Sequence, residues 1–191
     1  MASVLVPIAE GCEELEAITI VDLLRRAAID VTTASLDRGD KVRPVTASRG
    51  VVIIPDTTLD NAMSRSFDMI VLPGGLPGAD HLDNDPRVHQ LLTTMASADK
   101  YTAAICAAPK VLANARLLEG KSATSYPGFI EKMDLNNTRV TDEAVVQDGK
   151  VITSRGPGTA MEFALTLIRI LAGKEKREEV AAGLLFNTVA K

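Results

Sequence analysis

The chain has 191 residues, 46% hydrophobic and 24% charged, a balance that suits one globular domain and excludes a disordered chain. With 3% aromatics, no Trp and a net charge of −4, it lacks the stacking platforms and basic surface of a protein whose main ligand is nucleic acid. Two cysteines build no disulfide framework, and neither an 18-residue apolar run nor a basic leader is present, so a reduced, cytoplasmic, membrane-free protein is expected.

Residues 4–8 (Val-Leu-Val-Pro-Ile) are apolar on both faces, as in a buried parallel strand. From Glu13 the pattern changes: Ala17, Val21, Leu24 and Ala28 recur at helical spacing, with Arg25 and Arg26 near the end, where cations suit the helix dipole. A β-branched strand over 31–36, a turn over 37–40 and a short strand over 51–54 follow. Residues 68–72 form a further buried strand, stopped by Pro73-Gly74-Gly75. Next come a helix over 86–95, a strand over 102–105 and a helix over 107–118 closed by Gly120. Residues 144–153 read as a hairpin turning at Asp148-Gly149. Gly158 leads into a helix with Ala164, Leu167, Ile168 and Leu171 on one face, and a last helix covers 175–185. The alternation predicts one α/β domain over 1–191, a doubly wound sandwich whose mostly parallel sheet carries helices on both faces. Ligands of such sheets bind at the carboxyl ends of the strands, so the segments after Ile8, Leu72, Ile105 and Thr153 are where chemistry is expected.

The sharpest of these is Ala103-Ala104-Ile105-Cys106-Ala107-Ala108-Pro109. A strand passes into a helix with almost no connection, and small neighbours permit a tight bend that exposes the Cys106 thiol, the logic of a nucleophile elbow. Free amides at the helix start should lower the thiol pKa and hold an oxyanion. The competing reading is a cysteine that only fills space behind a strand. Leu72-Pro73-Gly74-Gly75 is either a plain turn or the source of a second oxyanion donor. Dipole compensation accounts for Glu13 and Glu14, whereas Glu16 either does the same or projects into the crevice beside Cys106, where burial would raise its pKa. Ser154-Arg155-Gly156-Pro157-Gly158-Thr159 also lines the crevice, with Thr159 either capping the next helix or serving the site.

Other patterns fail. Gly120-Lys121-Ser122 resembles the end of a phosphate-binding loop, but Ala115 stands where that loop needs Gly. His81 and His89, beside Asp83, Asp85 and Pro86, read as a polar loop and a helix start, so no metal and no Ser-His-Asp triad is expected. Cys12 reads as an inert loop thiol.

Four segments together carry a resemblance: Glu10-Gly11-Cys12-Glu13-Glu14-Leu15-Glu16-Ala17, Val71-Leu72-Pro73-Gly74-Gly75, Ala104-Ile105-Cys106-Ala107-Ala108-Pro109 and Thr153-Ser154-Arg155-Gly156-Pro157-Gly158-Thr159. In order and spacing the chain resembles the ThiJ/PfpI superfamily (the class I glutamine amidotransferase-like domain), in the branch of the Parkinson-disease protein deglycase and its bacterial relatives, from Val4 to about Leu185. The resemblance implies a flavodoxin-like homodimer that needs no cofactor. It makes Cys106 the reactive cysteine, Glu16 the carboxyl that hydrogen-bonds it, and Gly75 and Ala107 the amides facing substrate oxygen, with Gly74 beside them. Arg49 and Arg26 match basic residues near the site and the dimer interface. Two departures matter. Ala107 stands where protease-like members have His, which argues against a peptidase. Tyr126 stands where some close relatives have His; a phenol, with an ordinary pKa near 10, is a poor base at neutral pH and suits substrate orientation instead.

The function so implied is a glyoxalase or deglycase acting on methylglyoxal, glyoxal or their early protein adducts, linked to protection from oxidative stress. The alternative is a redox sensor or chaperone in which Cys106 is oxidised to a sulfinic acid without significant catalysis.

Overall fold

The elements follow the predicted alternation, in chain order β1 (Ser3–Ile8), α1 (Glu14–Arg26), β2 (Asp30–Ser35), β3 (Val45–Thr46), β4 (Val52–Ile53), β5 (Thr57–Thr58), α2 (Leu59–Ala62), β6 (Met69–Leu72), α3 (Gly78–Asn84), α4 (Pro86–Ser97), β7 (Tyr101–Ile105), α5 (Pro109–Asn114), β8 (Ser122–Ala123), β9 (Arg139–Val140), β10 (Val145–Asp148), β11 (Val151–Ser154), α6 (Ala160–Ala172) and α7 (Lys174–Gly183). The structure is a computed structural model and describes residues 1–186; positions 187–191 of the expected domain lie outside the described residues.

Seven strands form one sheet in the order β10–β11–β7–β6–β1–β2–β5, parallel except for the β10–β11 hairpin. The double apolar character of the strands is used on both faces. Val4, Val6, Ile8, Met69 and Val71 pack in a core with Ile20, Leu24 and Phe163 of α1 and α6. Leu5, Ile70 and Leu72 point the other way, into a core with Leu59, Leu82, Leu92 and Val111 from α2 to α5. The period-2 alternation of a strand thus fills both layers. No described helix is long and apolar enough to cross a membrane.

From β1 the chain adds β2 on one side, then returns to place β6 on the other. The loops after β1 and β6 therefore diverge, and a crevice opens between them at the carboxyl ends of the strands.

The short strand expected over 51–54 is β4, which pairs antiparallel with β3 in a separate hairpin outside the main sheet. Three expectations are corrected. The helix over 107–118 is shorter, because α5 starts with Pro109 and the chain turns left-handed at Arg116 (φ 61). The polar segment around His81 forms helix α3, and β8 pairs parallel with β9 in a two-stranded sheet that no sequence signal announced. Thr159 does not cap α6. Its hydroxyl folds back instead, 2.7 Å from Ser154 Oγ and accepting from the Gly156 N–H at 3.1 Å.

Candidate active site

Cys106 follows β7 with a φ of 64, a left-handed conformation that a non-glycine residue adopts only when its surroundings hold it there. Both of its backbone groups are held. Its N–H donates to the Ser154 carbonyl at 3.0 Å and its carbonyl accepts from the Tyr126 N–H at 2.9 Å. Ala104 before the bend and Ala107 and Ala108 after it are buried. The elbow is thus fixed by β11 and by the loop carrying Tyr126, and the Cys106 side chain stays partly open while Cys12 is wholly buried.

Glu16 occupies the first turn of α1 and is fully buried. Its Oε2 accepts the Gly74 N–H at 2.8 Å, and its side chain meets the Cys106 sulfur. Oε1 has no hydrogen-bond partner. A buried carboxylate oxygen left bare is costly, and a proton on it relieves that cost. Burial pushes the carboxyl up to about 7, against the pull of the Gly74 amide.

The Gly75 and Ala107 amides are directed at the Cys106 sulfur and pull its titration down. They do not decide its titration. Burial, and then the Glu16 charge and hydrogen bond, push the thiol up to about 12. The expectation of a thiol lowered by a helix mouth is therefore corrected: α5 is short, begins at Pro109, and is outweighed by burial and then by the carboxylate against the sulfur. The resting pair is a thiol beside a carboxylate that titrates near neutrality. A thiolate forms when the proton crosses to Glu16.

A pocket of about 300 Å³ opens over Cys106, bounded by Arg49, Gly75, Leu76, Ala107, Tyr126 and Phe129. Gly74 plays a different part from the one expected, since its amide is committed to Glu16 rather than to substrate. Gly75 has a φ of 87, and a Cβ there would lie 2.3 Å from the Glu13 nitrogen, so only glycine lets this amide approach. Arg26 is not brought to the pocket. It pairs with Asp22 at 2.8 Å on the outer surface of α1, about 15 Å along the helix from Glu16.

Sequence reasoning missed how the Arg49 loop is anchored. Glu14, read as a dipole partner, is buried and accepts the Arg49 N–H at 2.9 Å and the Val51 N–H at 3.4 Å. Burial opposes the Glu14 charge, but these amides and the Ser48 hydroxyl hold the carboxyl below its usual range. The Ser48 hydroxyl also reaches Glu13 Oε2 at 2.9 Å. Phe129 was missed as well, although Pro127-Gly128 signals the turn that delivers it. Burial pushes the Cys12 thiol up to about 12, in keeping with an inert cysteine. Among the described residues, no three His, Cys, Asp or Glu side chains gather to hold a metal.

The DJ-1/PfpI family pattern matches residues 2–170. The chain is 50% identical over 183 residues to protein dj-1beta of Drosophila melanogaster, covering 96% of each. It is 37% identical over 175 residues to the glutathione-independent glyoxalase DJR-1.2 of Caenorhabditis elegans, covering 92% of this chain and 90% of the relative. The crystal structure of Drosophila melanogaster DJ-1beta superposes with a TM-score of 0.90 at 48% identity, covering 96% of this chain and 97% of that one.

Proposed function

The chain belongs to the DJ-1/PfpI family, and on that premise we propose that it is a cofactor-independent glyoxalase or deglycase. Its substrates are methylglyoxal and glyoxal, or their early adducts with protein thiols and amines, and its role is cytoplasmic protection against oxidative stress. A relative named as a glutathione-independent glyoxalase supports the reaction class. The observation that carries the reading is the fully buried Glu16 carboxyl, held by the Gly74 amide beside the Cys106 sulfur, where burial pushes its titration up to about 7. That is a proton carrier tuned to neutral pH beside a nucleophile.

The reaction is an internal oxidation and reduction. Glu16 takes the thiol proton as Sγ of Cys106 attacks the aldehyde carbon. The Gly75 and Ala107 amides stabilise the oxyanion, which is then protonated to a hemithioacetal. Glu16 gives that proton to the oxyanion and, a carboxylate again, removes the proton on that carbon; the electron pair moves onto the ketone oxygen, which takes a proton from water to give an enediol. Returning the proton to the neighbouring carbon, with loss of the hydroxyl proton on the first, gives a thioester of the 2-hydroxy acid. Water adds to the thioester, the carbon–sulfur bond breaks, and lactate and the thiol are released. One carbon is oxidised, its neighbour is reduced, and water supplies the added oxygen. Arg49, at the rim, suits the carboxylate product. Lactate formation from methylglyoxal by the wild type and by Cys106→Ser tests this, and equal rates reject it.

One observation favours a second reading. Of the two thiols only Cys106 is open, so peroxide reaches one sulfur selectively. Intact mass after mild peroxide distinguishes this sensor role by a gain of two oxygens on Cys106 in a protein that forms no lactate.

A further inference from the structure

The pocket over Cys106 is larger than a three-carbon aldehyde needs, for about 300 Å³ is the lower end of the range that takes drug-sized ligands. Its walls differ in character. Glu13, Ser48 and Arg49 give it polar groups, while Leu76, Tyr126, Phe129 and Pro157 give it apolar surface.

The apolar wall is built rather than incidental. Residues 126–129 form a type II turn, with Pro127 second, Gly128 third at a φ of 88, and the Phe129 N–H directed at the Tyr126 carbonyl at 3.4 Å. The turn sets the two rings edge to face, with centroids 6.3 Å apart and planes at 79°. The Tyr126 N–H in turn donates to the Cys106 carbonyl, which ties the wall to the elbow. A Cβ on Gly156 would lie 3.1 Å from Tyr126 Cδ2 and 4.0 Å from Cys106 Sγ. The same unfilled point therefore adjoins both the ring and the nucleophile. Tyr126 nevertheless stays 48% exposed, its ring held beside the sulfur and open to solvent.

We propose that the Tyr126–Phe129 wall is the subsite for the group carried on the ketone carbon, and that it selects 2-oxoaldehydes bearing a flat or bulky apolar group, such as an aryl glyoxal. This rests on the glyoxalase reading of the site. Tyr126 and Phe129 are specificity-determining residues and take no part in proton transfer.

The test compares kcat/KM for phenylglyoxal and methylglyoxal in the wild type, Tyr126→Ala, Tyr126→Phe and Phe129→Ala. The ratio between substrates in each protein, set against the wild type, cancels their intrinsic reactivity. Tyr126→Ala should lower the phenylglyoxal preference about tenfold, the scale of a lost apolar contact, while Tyr126→Phe holds it within about twofold. Because the tie to Cys106 is through the backbone, the Ala variant keeps the elbow. An unchanged ratio in Tyr126→Ala overturns the proposal. If no variant and no wild type forms a hydroxy acid, the glyoxalase reading fails by itself. The subsite is then read from alkylation of Cys106 by phenacyl bromide and bromoacetone, followed by intact mass. A wild-type preference for the aryl reagent that Tyr126→Ala abolishes sustains the subsite, and equal selectivity in both proteins overturns it.

Discussion

The Gly74 amide donates to Oε2 of Glu16 at 2.8 Å, joining the loop after β6 to the first turn of α1 across the crevice. There is no room at this junction. A Cβ on Gly74 would lie 2.6 Å from Cys106 Cβ, 2.8 Å from Glu16 Oε2 and 2.8 Å from the Ile105 carbonyl. Gly74→Ala must therefore displace either the elbow or the carboxyl. It should cost about 3 kcal/mol in denaturant unfolding and most of the activity. A variant as stable and as active as the wild type would remove this junction from the account of the site.

Glu16 makes stability depend on pH with a definite sign. Its carboxyl rises from 4.5 in the unfolded chain to about 7 in the folded protein, so the folded state holds the proton more tightly. The stabilisation is fully present below about 4.5 and is lost as pH rises through about 7, a change of about 3 kcal/mol. Glu16→Gln has no proton to lose. Thermal melts across pH 4 to 8 should show the variant gaining on the wild type by about that amount. Parallel stability curves would mean that Glu16 titrates alike in both states.

The same group sets the activity profile. Below about 7 the Glu16 carboxyl and the Cys106 thiol are both protonated, and neither can start the reaction. kcat/KM for methylglyoxal should rise through a midpoint near 7 and then level off, because the thiol itself titrates only at about 12. Glu16→Gln should lose about 100-fold or more, along with the rising limb. Cys106→Ser should lose at least about 100-fold across the range. A profile that climbs only toward pH 9 would make the free thiolate, rather than the pair, the reacting species.

What the sequence disclosed and what it hid separate by distance along the chain. The elbow was legible because its cause is local: an apolar strand, a small-residue bend and Pro109 are adjacent. The strands were legible because a parallel sheet buried on both faces demands unbroken apolar runs. The division of labour among Glu13, Glu14 and Glu16 was hidden, because it depends on the rotation of α1 against segments far away in sequence, the 48–51 loop and Gly74. The high thiol pKa was hidden for the same reason. The Ala107 amide, next to Cys106 in sequence, and the Gly75 amide pull it down, while burial and then Glu16, distant in sequence and adjacent in space, push it up. Phe129 follows a legible turn signal, but no pattern in the chain says that the turn faces Cys106.

Homodimer formation is the remaining expectation, and α1 points to the surface that would support it. Its inner face buries Ala17, Ile20 and Leu24, while Leu15 and Ile18 on the outer side stand about half exposed, at 50% and 48%. The β3–β4 hairpin adds Val51, Val52 and Ile54, at 49%, 60% and 75%. Glu14 ties the two elements together through the Arg49 and Val51 amides, which sets the hairpin beside the start of α1. Large exposed apolar patches mark interfaces, and a self-complementary twofold contact is the commonest solution. Only through such a contact would Arg26, remote from the pocket of its own chain, meet the expectation that it serves a site near the dimer interface. Ile18→Asp and Val52→Asp each place a charge in this patch without touching the core. Sedimentation equilibrium should give a dimer for the wild type and monomers for both variants, with unchanged far-ultraviolet circular dichroism. A wild-type protein that stays monomeric at tens of micromolar would leave this patch to another partner and Arg26 outside the site.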